Sequence, residues 1–295
     1  MEKIKLTNED LPGLYQSADV SSLKEQKKYF NGIRFYLIFL IIASMIAFSS
    51  QYFISSFLRI SSAIIFLGTM AIMIWLRLKR PNDIWYNGRA VAESVKTRAW
   101  RWMMKAEPYL FEDLEAAKKK FINDLKTILN QNERLIGELG ISASFKDPIS
   151  AKMVKIRNMS LKERFNIYRT DRVTDQEKWY CNKAEHNKKK ARYWFIVTLV
   201  LHIIAFVALL YNIKEPNLQL PIEVIAVGAS SVLTWLQAKK YNELRSSYSL
   251  AAHEIVLIKS EVTEINTEEE FSDYVINCEG AFSREHTQWF ARKNQ

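Results

Sequence analysis

The sequence predicts an all-α integral membrane protein with four transmembrane helices in two hairpins and a helical cytoplasmic region. Three observations favour this fold class: four charge-free apolar segments, aromatic residues at their ends, and a very uneven distribution of Lys and Arg. In addition, only 8 Gly and 6 Pro occur among 295 residues, which favours long helices over a turn-rich β fold.

The four apolar segments have lengths suited to membrane spans. They are Phe35–Leu58 with 24 residues, Ile60–Leu76 with 17, Tyr193–Ile213 with 21 and Val224–Ala238 with 15. Because about 20 apolar residues cross the hydrocarbon core, with a range of roughly 17–25, the first three qualify directly. The fourth qualifies if Glu223 lies at the interface. We predict spans at about 35–56, 59–78, 193–213 and 221–238.

Aromatic residues stand where the membrane interfaces are expected. They are Tyr29, Phe30, Tyr52, Phe53, Trp75, Tyr193, Trp194 and Trp235. This pattern argues against the alternative of four helices buried in a soluble protein. A secretory signal is also disfavoured, because the first segment starts only at Phe35 and is longer than the apolar part of a signal peptide.

Positive charge predicts the topology. The stretch 77–192 carries 27 of the 42 Lys and Arg residues, whereas the two short links between spans carry one each, Arg59 and Lys214. The positive-inside rule then places both termini and region 77–192 in the cytoplasm. The net charge of +10 is explained by anionic lipid headgroups, so no nucleic-acid partner is expected.

An internal repeat indicates two sequence units. The second span ends in WLRLKR at 75–80, and the fourth ends in the similar WLQAKK at 235–240. We predict a first unit at 1–148, with cytoplasmic helices over 82–140, and a second unit at 149–295, with cytoplasmic helices before and after its spans. The Lys146-Asp147-Pro148 turn lies at the boundary.

Signatures of catalysis and of metal binding are absent from the sequence. It contains no Gly-rich phosphate loop, no GxSxG, no HExxH and no CxxC, and its four histidines are scattered. We therefore predict that the protein is not an enzyme and carries no cofactor or metal. The two cysteines, Cys181 and Cys278, fall on the predicted cytoplasmic side and imply no disulfide framework.

Polar side chains recur along the predicted spans. The candidates for lining a passage are Glu223, Ser230, Ser231, Thr234, His202, Ser44 and Gln51. Small hydroxylated residues let membrane helices approach closely, so packing within one bundle is the simpler interpretation. The alternative is that several subunits surround a water-filled passage, where a ring of Glu223 would favour cations. For His202, a hydrogen bond across helices and a pore or proton role both stay open.

Two pairs of segments resemble the SLATT family, the SMODS and SLOG-associating two-transmembrane effector domains. LPGLYQSADVSSLKEQKKYF (11–30) and IWYNGRAVAESVKTRAWRWMMKAEPY (84–109) are similar to subtype three. YRTDRVTDQEKWYCNKAEHNKKKARYWF (168–195) and EGAFSREHTQWF (279–290) are similar to subtype one. The residues that carry the resemblance are Trp85, Arg89, Ala92, Glu93, Lys96 and Trp100, then Arg172, Asp175, Gln176, Trp179, Tyr180, Glu279, Glu285 and Trp289.

The resemblance implies an effector of bacterial anti-phage systems that are linked to nucleotide second messengers. The implied action is permeabilisation of the bacterial inner membrane, which kills or arrests an infected cell. We predict that it occurs by formation of a homo-oligomeric pore or by disruption of the membrane, because the four helices of one subunit enclose no useful channel. The partner is a cyclic or modified nucleotide or a nucleotide-sensing protein, and the residues do not decide between them. The alternative is a non-conducting, membrane-anchored scaffold that recruits a cytosolic partner. A transporter is disfavoured, because His202 alone approaches the charged midplane site that transporters use.

One face of the helix after the first hairpin is a candidate docking or switch surface. Trp85, Arg89, Glu93, Lys96 and Trp100 share this face at steps of three and four residues. Arg89 and Glu93 can pair at i,i+4, and the flanking Trp rings can shield the pair. We expect this face to dock the two halves or two subunits, or to pack simply within one chain. The other docking candidates are Arg172, Asp175, Trp179, Glu279, Glu285 and Trp289.

Overall fold

The structure, a computed structural model, is mostly helical in the part of the chain that it describes. It describes residues 6–53, 55–132, 137, 146–215, 218–261 and 264–293, the last ten of these without their side chains. Helix accounts for 85% of the structure, and the described residues contain no strand, which confirms the all-α prediction.

Ten α-helices are defined in these residues. They are α1 (Gly13–Tyr52), α2 (Ser56–Lys79), α3 (Pro81–Met103), α4 (Leu114–Asn130), α5 (Ala151–Arg157), α6 (Leu161–Ile167), α7 (Thr174–Lys214), α8 (Ile222–Lys239), α9 (Tyr241–Glu261) and α10 (Glu268–Lys293). A short 3-10 helix, Asn8–Asp10, precedes α1, and a π-helical segment, Tyr168–Val173, connects α6 to α7.

The chain divides into two compact units. Unit 1 comprises Met1–Gln26, Asn82–Ala184 and Ser246–Gln295, and unit 2 comprises Lys27–Pro81 and Glu185–Arg245. Each unit therefore takes residues from both of the predicted sequence units. The long helices α1 and α7 each contribute their first part to unit 1 and their remainder to unit 2.

Within unit 2, α1 and α2 pack as an antiparallel helical hairpin. The Ser62 hydroxyl on α2 donates to the carbonyl of Ala43 on α1 at 2.9 Å. A Cβ added at Gly32 would lie 2.9 Å from the Leu76 side chain, so the absence of a side chain at Gly32 permits this close approach. The link between the helices is shorter than predicted, because Arg59 lies in the first turn of α2.

Three helical stretches in the described part of the chain are long and apolar enough to cross a membrane. They are Gly13–Tyr52, Ser56–Met103 and Leu161–Lys214, and they contain the first three predicted spans. The fourth predicted span coincides with α8, an 18-residue helix that is not among these three. Its polar and charged ends, Glu223 and Lys239, leave a short apolar stretch between them.

The sequence repeat has a structural counterpart at the ends of α2 and α8. Arg80 and Lys240 both adopt the left-handed conformation, with φ of 44° and 51°. Their backbone N–H groups donate to the carbonyls of Leu76 and Leu236 at 3.1 Å and 3.0 Å. Arg80 and Lys240 are also the last residues of the motifs WLRLKR and WLQAKK. The two sequence motifs and the two helix ends therefore align in the same register. In this register α9, which follows Lys240, is the counterpart of α3, which follows Arg80.

The helix α3 lies at the centre of unit 1. Every α3 residue except Ser94 is buried or half-buried, and Val95, Ala99 and Trp102 are fully enclosed. Its Trp102 indole packs 5.9 Å from the Phe121 ring of α4. Because α3 also carries several charged side chains, this degree of burial is stable only if those polar groups find partners.

The single region of cytoplasmic helices predicted over 82–140 is interrupted. The helix α3 ends at Met103, where the Ala106 N–H donates to the Arg101 carbonyl at 2.9 Å and Lys105 is left-handed with φ of 55°. This arrangement satisfies the last carbonyls of α3 and turns the chain away. The rest of the prediction is helix α4, which reaches Asn130; residues 133–136 and 138–145, including Gly140, lie outside the described residues.

Candidate functional site

The α3 face, defined as Trp85, Arg89, Glu93, Lys96 and Trp100, packs against several elements of unit 1. The Arg89 guanidinium and the Glu93 carboxylate form the predicted ion pair at 3.1 Å. The Arg89 guanidinium carbon also lies 5.9 Å from the centre of the Trp179 ring on α7. The Trp100 ring packs edge-on against Tyr168 with ring centres 5.7 Å apart. The predicted aromatic shield therefore comes from α7 and the π-helical segment as well as from α3.

Beside this face lies a buried cluster centred on Glu279 of α10. We define the Glu279 cluster as Glu279 with its three donors, Thr97, Tyr168 and Arg172. Arg172 donates from Nε to Oε1 at 2.9 Å and from Nη2 to Oε2 at 2.7 Å. The Tyr168 and Thr97 hydroxyls donate to Oε1 at 3.0 Å and to Oε2 at 2.8 Å. Glu279 is 0% exposed and Arg172 is 1% exposed, so the carboxylate is held by protein donors alone.

Electrostatics stabilise the charged form of the Arg172 guanidinium. Burial by itself would lower the pKa of the Arg172 guanidinium, but the charge and hydrogen bonds of Glu279 raise it above its ordinary value. Burial, together with the nearby Glu279 charge, raises the pKa of the Tyr168 phenol well above its ordinary value. Tyr168 therefore stays a neutral donor, and it is one of the three residues that together donate four hydrogen bonds to Glu279.

Further charged groups surround the cluster. The Lys96 ammonium lies 5.9 Å from the centre of the Tyr15 ring on α1, and burial followed by the Arg172 charge lowers its pKa. Burial raises the pKa of the Asp19 carboxyl, and the Glu93 charge raises it further, while Arg89 opposes both. The α3 face is thus part of a partly desolvated network in which charges of both signs alternate.

Two other buried arginines bind the C-terminal end of α3. Arg157 donates to the carbonyls of Trp102, Tyr109 and Phe111, the last two at 2.9 Å. Arg164 donates to the Met104 carbonyl at 2.6 Å and forms an ion pair with Glu268. Burial, followed by the Arg164 charge, lowers the pKa of Arg157 to about 10.

Two of the bound carbonyls, those of Trp102 and Met104, lie at the negative end of the α3 dipole, and the other two belong to the segment that follows α3. Cations in that position are favourable because the last carbonyls of a helix have no partner within the helix. The planar guanidinium of Arg157 can reach three carbonyls at once, which a Lys ammonium on a flexible stem does less well. Arg157 and Arg164 therefore hold α3 in place at one end, and the Glu279 cluster holds its middle.

The chemistry of this region is that of a structural joint. Among the described residues, no group of three or more His, Cys, Asp or Glu side chains could hold a metal ion. Of the two cysteines, Cys278 is buried and Cys181 is exposed. The polar atoms around α3 are largely committed to one another, an arrangement suited to holding two parts of the chain together.

Comparison with known protein families identifies the two halves of the chain. The SMODS and SLOG-associating 2TM effector domain 3 matches residues 12–165, more than half of the chain. The SMODS and SLOG-associating 2TM effector domain 1 matches residues 168–289. The chain belongs to the SLATT family. Both predicted subtypes and their order are confirmed. A search of curated proteins and a search of solved structures found no match.

The family membership makes this chain a membrane effector linked to defence systems. The two matches also show which SLATT domain contributes each residue around α3. The α3 face and Thr97 belong to the first match, whereas Tyr168, Arg172, Trp179 and Glu279 belong to the second. We call these residues, together with Arg157 and Arg164, the SLATT joint. The contacts around α3 therefore join the two tandem SLATT domains within one chain. The docking or switch role of this face, as against simple packing within one chain, stays a prediction.

Some predicted docking residues do not join this cluster. Asp175 is exposed on the first turn of α7. Trp85 is half-buried and stacks on its neighbour Tyr86 with ring centres 4.4 Å apart. The side chains of Glu285 and Trp289 lie outside the described residues, so their predicted docking role stays a prediction.

The candidates for lining a passage divide into two groups in this SLATT chain. Ser231 is buried within unit 2, and Ser44 is half-buried with its hydroxyl bonded to the Ile41 carbonyl at 2.8 Å. The remaining candidates are exposed: Glu223, Ser230, Thr234, His202 and Gln51. The buried group fits packing between helices, whereas the exposed group faces away from the packed helices of its own unit.

Sequence reasoning missed four residues of the SLATT joint. Arg157 and Arg164 lie in a Lys- and Arg-rich stretch that reads as a solvated helix face, and no local pattern marks them as buried. Thr97 and Tyr168 reach Glu279 across 182 and 111 residues of sequence. The position of Thr97 gives one local signal, because Thr97 directly follows Lys96 of the α3 face.

Proposed function

We propose that this protein is an anti-phage effector of the bacterial inner membrane that acts by forming an oligomeric pore. Its four spans lie in two hairpins, with both termini and region 77–192 in the cytoplasm. It works without catalysis, a cofactor or a metal. Activation comes from a cyclic or modified nucleotide or from a nucleotide-sensing partner protein, and the outcome is death or arrest of the infected cell. The SLATT membership supports the effector class.

The observation that carries the pore proposal is the exposure of polar side chains on otherwise apolar helices. On α8, Glu223, Ser230 and Thr234 are exposed while Ala229 and Ser231 are buried. If the small polar residues served only the packing of one chain, the whole stripe would be buried. In a bilayer the exposed Ser230 hydroxyl favours a neighbouring subunit or water over lipid tails, whereas Glu223 lies at the membrane interface and the Thr234 hydroxyl bonds the Ser230 carbonyl at 2.9 Å.

His202 on α7 strengthens this argument. It is exposed near the middle of the predicted third span, among large apolar side chains. One ring nitrogen, Nδ1, lies 2.8 Å from the Thr198 carbonyl of its own helix. An imidazole has a second polar nitrogen, and exposing that atom to hydrocarbon is unfavourable. A second subunit or a water-filled passage supplies the environment that this side chain requires.

The membrane potential of cells that express the protein together with its activating system tests this proposal. A voltage-sensitive dye should report rapid depolarisation with the parent chain and little with Ser230→Leu or His202→Phe. Leu209→Val is a suitable control, because Leu209 is an exposed apolar residue of α7. If all variants depolarise the membrane equally, the polar stripe has no role in conduction. If no chain depolarises it, the recruiting scaffold replaces the pore.

A further inference from the structure

A group of aromatic rings and cations lies at one end of the helices of unit 2. The Lys239 ammonium on α8 lies 3.3 Å from the centre of the Phe30 ring on α1 and 4.9 Å from the centre of the Trp235 ring. The Arg34 guanidinium carbon on α1 lies 5.7 Å from the centre of the same Trp235 ring. Trp194 of α7 packs edge-on against Trp235, with ring centres 6.5 Å apart. We define these five residues, all of unit 2, as the Lys239 cluster.

Neither cation of the Lys239 cluster has a carboxylate partner among the described residues. Lys239 is half-buried and Arg34 is exposed, and no described carboxylate oxygen lies within 4.0 Å of either group. Four half-buried lysines of unit 1, in contrast, each lie 2.7 or 2.8 Å from a carboxylate oxygen. They are Lys118, Lys120, Lys152 and Lys259. An aromatic ring attracts a cation but carries no net charge, so the positive charge of the Lys239 cluster is uncompensated.

The position of the Lys239 cluster along the chain places its cations at the level of lipid headgroups. Arg34 directly precedes the first predicted span, 35–56, and Lys239 directly follows the fourth, 221–238. Both lie on the cytoplasmic side in the proposed topology, so this step rests on the proposed function. Basic side chains and Trp rings are both favourable at this level, because the rings meet the apolar region and the charges meet the headgroups.

We infer that the Lys239 cluster is a binding site for the phosphate group of an anionic phospholipid, with Arg34 and Lys239 as its two ligands. The planar guanidinium of Arg34 can donate two parallel hydrogen bonds to phosphate, and the Lys239 ammonium adds a compact charge. The phosphate supplies the negative charge that both cations lack. Basic pockets between membrane helices on the cytoplasmic side are suited to phospholipid headgroups.

The internal repeat distinguishes this site from a general attraction to the membrane surface. Lys79 and Lys239 are the fifth residues of WLRLKR and WLQAKK, and each lies in the last turn of its helix. Lys79 is exposed, whereas Lys239 is half-buried against two rings and shares one of them with Arg34. Both lysines contribute one charge to the general attraction, so Lys79 is the matched control for Lys239.

A soluble phosphate compound is the other source of the same ligand chemistry. The surroundings of the Lys239 cluster favour a lipid, because exposed apolar side chains directly follow it in sequence. Phe35 follows Arg34 and is 54% exposed, and Phe195 follows Trp194 and is 63% exposed. A ligand with acyl chains can cover these rings, which a soluble phosphate compound cannot.

Native mass spectrometry of the purified full chain tests the inference. The protein in detergent is mixed with phosphatidylglycerol, and the fraction of chains that retain one lipid is measured over a range of lipid concentrations. We expect Lys239→Gln and Arg34→Gln each to raise the dissociation constant about tenfold or more, because each removes a charged donor to phosphate. Lys79→Gln should change it less than about twofold, since an exposed charge contributes little.

Further measurements control for folding and for lipid type. Lys239→Arg should bind phosphatidylglycerol as the parent does, and phosphatidylcholine, which has no net charge, should bind the parent weakly. Circular dichroism measures the helix content of each variant. Because Arg34 is exposed, Arg34→Gln should keep the helix content of the parent, and it carries the test if Lys239→Gln does not fold.

Three outcomes overturn the inference. Equal weakening by Lys79→Gln and Lys239→Gln would show a general attraction to the lipid instead of a site. Unchanged binding by both Lys239→Gln and Arg34→Gln would show that these two cations do not hold the phosphate. Displacement of phosphatidylglycerol by equimolar glycerol 3-phosphate would assign the Lys239 cluster to a soluble phosphate compound.

The results also separate this inference from the proposed function. Lipid binding that Lys239→Gln abolishes, without potassium release from vesicles, would keep the site and remove the pore. Potassium release, with unchanged lipid binding by Lys239→Gln and Arg34→Gln, would keep the pore and remove the site.

Discussion

Arg172 and Glu279 form a doubly hydrogen-bonded ion pair, at 2.9 Å and 2.7 Å, in the interior of unit 1. Both residues belong to the second SLATT domain, and Thr97 of the first domain donates to the same carboxylate. The pair is thus the point at which the first domain is anchored on the second. Because both charges are out of water, the arrangement is stable only while both partners are present.

Replacing one member of the pair should destabilise the protein strongly. We expect Arg172→Met to lower the free energy of unfolding by about 3–5 kcal/mol, because it leaves the Glu279 charge buried without its cation. Thermal unfolding in detergent, followed by Trp fluorescence, measures the loss. The exposed Asp175→Asn is the control and should change stability by no more than about 0.5 kcal/mol. Equal effects of the two variants would contradict the anchoring role.

Arg157 should not be replaceable by Lys. Arg157→Lys keeps the positive charge but cannot reach three carbonyls with one ammonium group. We expect both Arg157→Lys and Arg157→Met to lower the free energy of unfolding by about 2–4 kcal/mol, since buried carbonyls lose their donors. The same unfolding measurement applies. A fully stable Arg157→Lys variant would show that charge alone, without the planar geometry, binds the end of α3.

Close packing of α1 on α3 makes Gly88 sensitive to substitution. A Cβ at Gly88 would lie 3.1 Å from the Ala18 carbonyl oxygen and 3.2 Å from the Ser22 Cβ. Because a backbone oxygen cannot move aside easily, Gly88→Ala should destabilise the protein by about 1–3 kcal/mol. Gly228→Ala is the matched control, since nothing lies within 4 Å of its added Cβ. Ala is the better helix former, so this control should gain about 0.5–1 kcal/mol.

Lys96 gives a prediction for the pH dependence of stability. Burial is the main reason that the pKa of the Lys96 ammonium in the folded protein lies below its ordinary value of 10.5. Between the pKa of the folded protein and that of the unfolded chain, the unfolded chain therefore binds more protons. Stability from this group therefore rises as the pH increases through that window. Lys96→Met should be more stable than the parent at pH 7 by on the order of 1 kcal/mol. Its advantage should shrink as the pH approaches 10, and a constant difference would contradict the burial of the charge.

The left-handed residue at the end of α3 should accept Gly. Lys105 has a φ of 55°, which is unfavourable for a residue with a side chain. Lys105→Gly should raise the midpoint of thermal unfolding and add up to about 1 kcal/mol of stability. Lys119→Gly, in the exposed interior of α4, should instead remove about 1 kcal/mol. Destabilisation by both changes would show that Lys105 has a contact that outweighs the backbone strain.

Much of this architecture could be predicted from sequence because it depends on local patterns. Apolar length predicted the long helices, and the i,i+4 spacing predicted the Arg89–Glu93 pair that forms at 3.1 Å. The WLRLKR and WLQAKK repeats predicted two equivalent helix ends, and both end in a left-handed residue.

The features that depend on distant contacts could not be predicted in this way. Arg157 and Arg164 look like surface residues in sequence, yet they bind the carbonyls of Tyr109 and Met104, which lie 48 and 60 residues away. Glu279 was a docking candidate through the family resemblance, but no local pattern identified its donors Thr97 and Tyr168. Its partners become visible only when α3 and α10 are packed in three dimensions.

Ion flux through defined membranes tests the central claim most directly. The purified full chain, reconstituted with its activator into vesicles of phosphatidylethanolamine and phosphatidylglycerol, should release trapped potassium. The release should fall sharply with Ser230→Leu and His202→Phe and stay unchanged with Leu209→Val. Oligomers detected in the same vesicles without any potassium release would contradict pore formation and leave the membrane-anchored scaffold as the function of this SLATT protein.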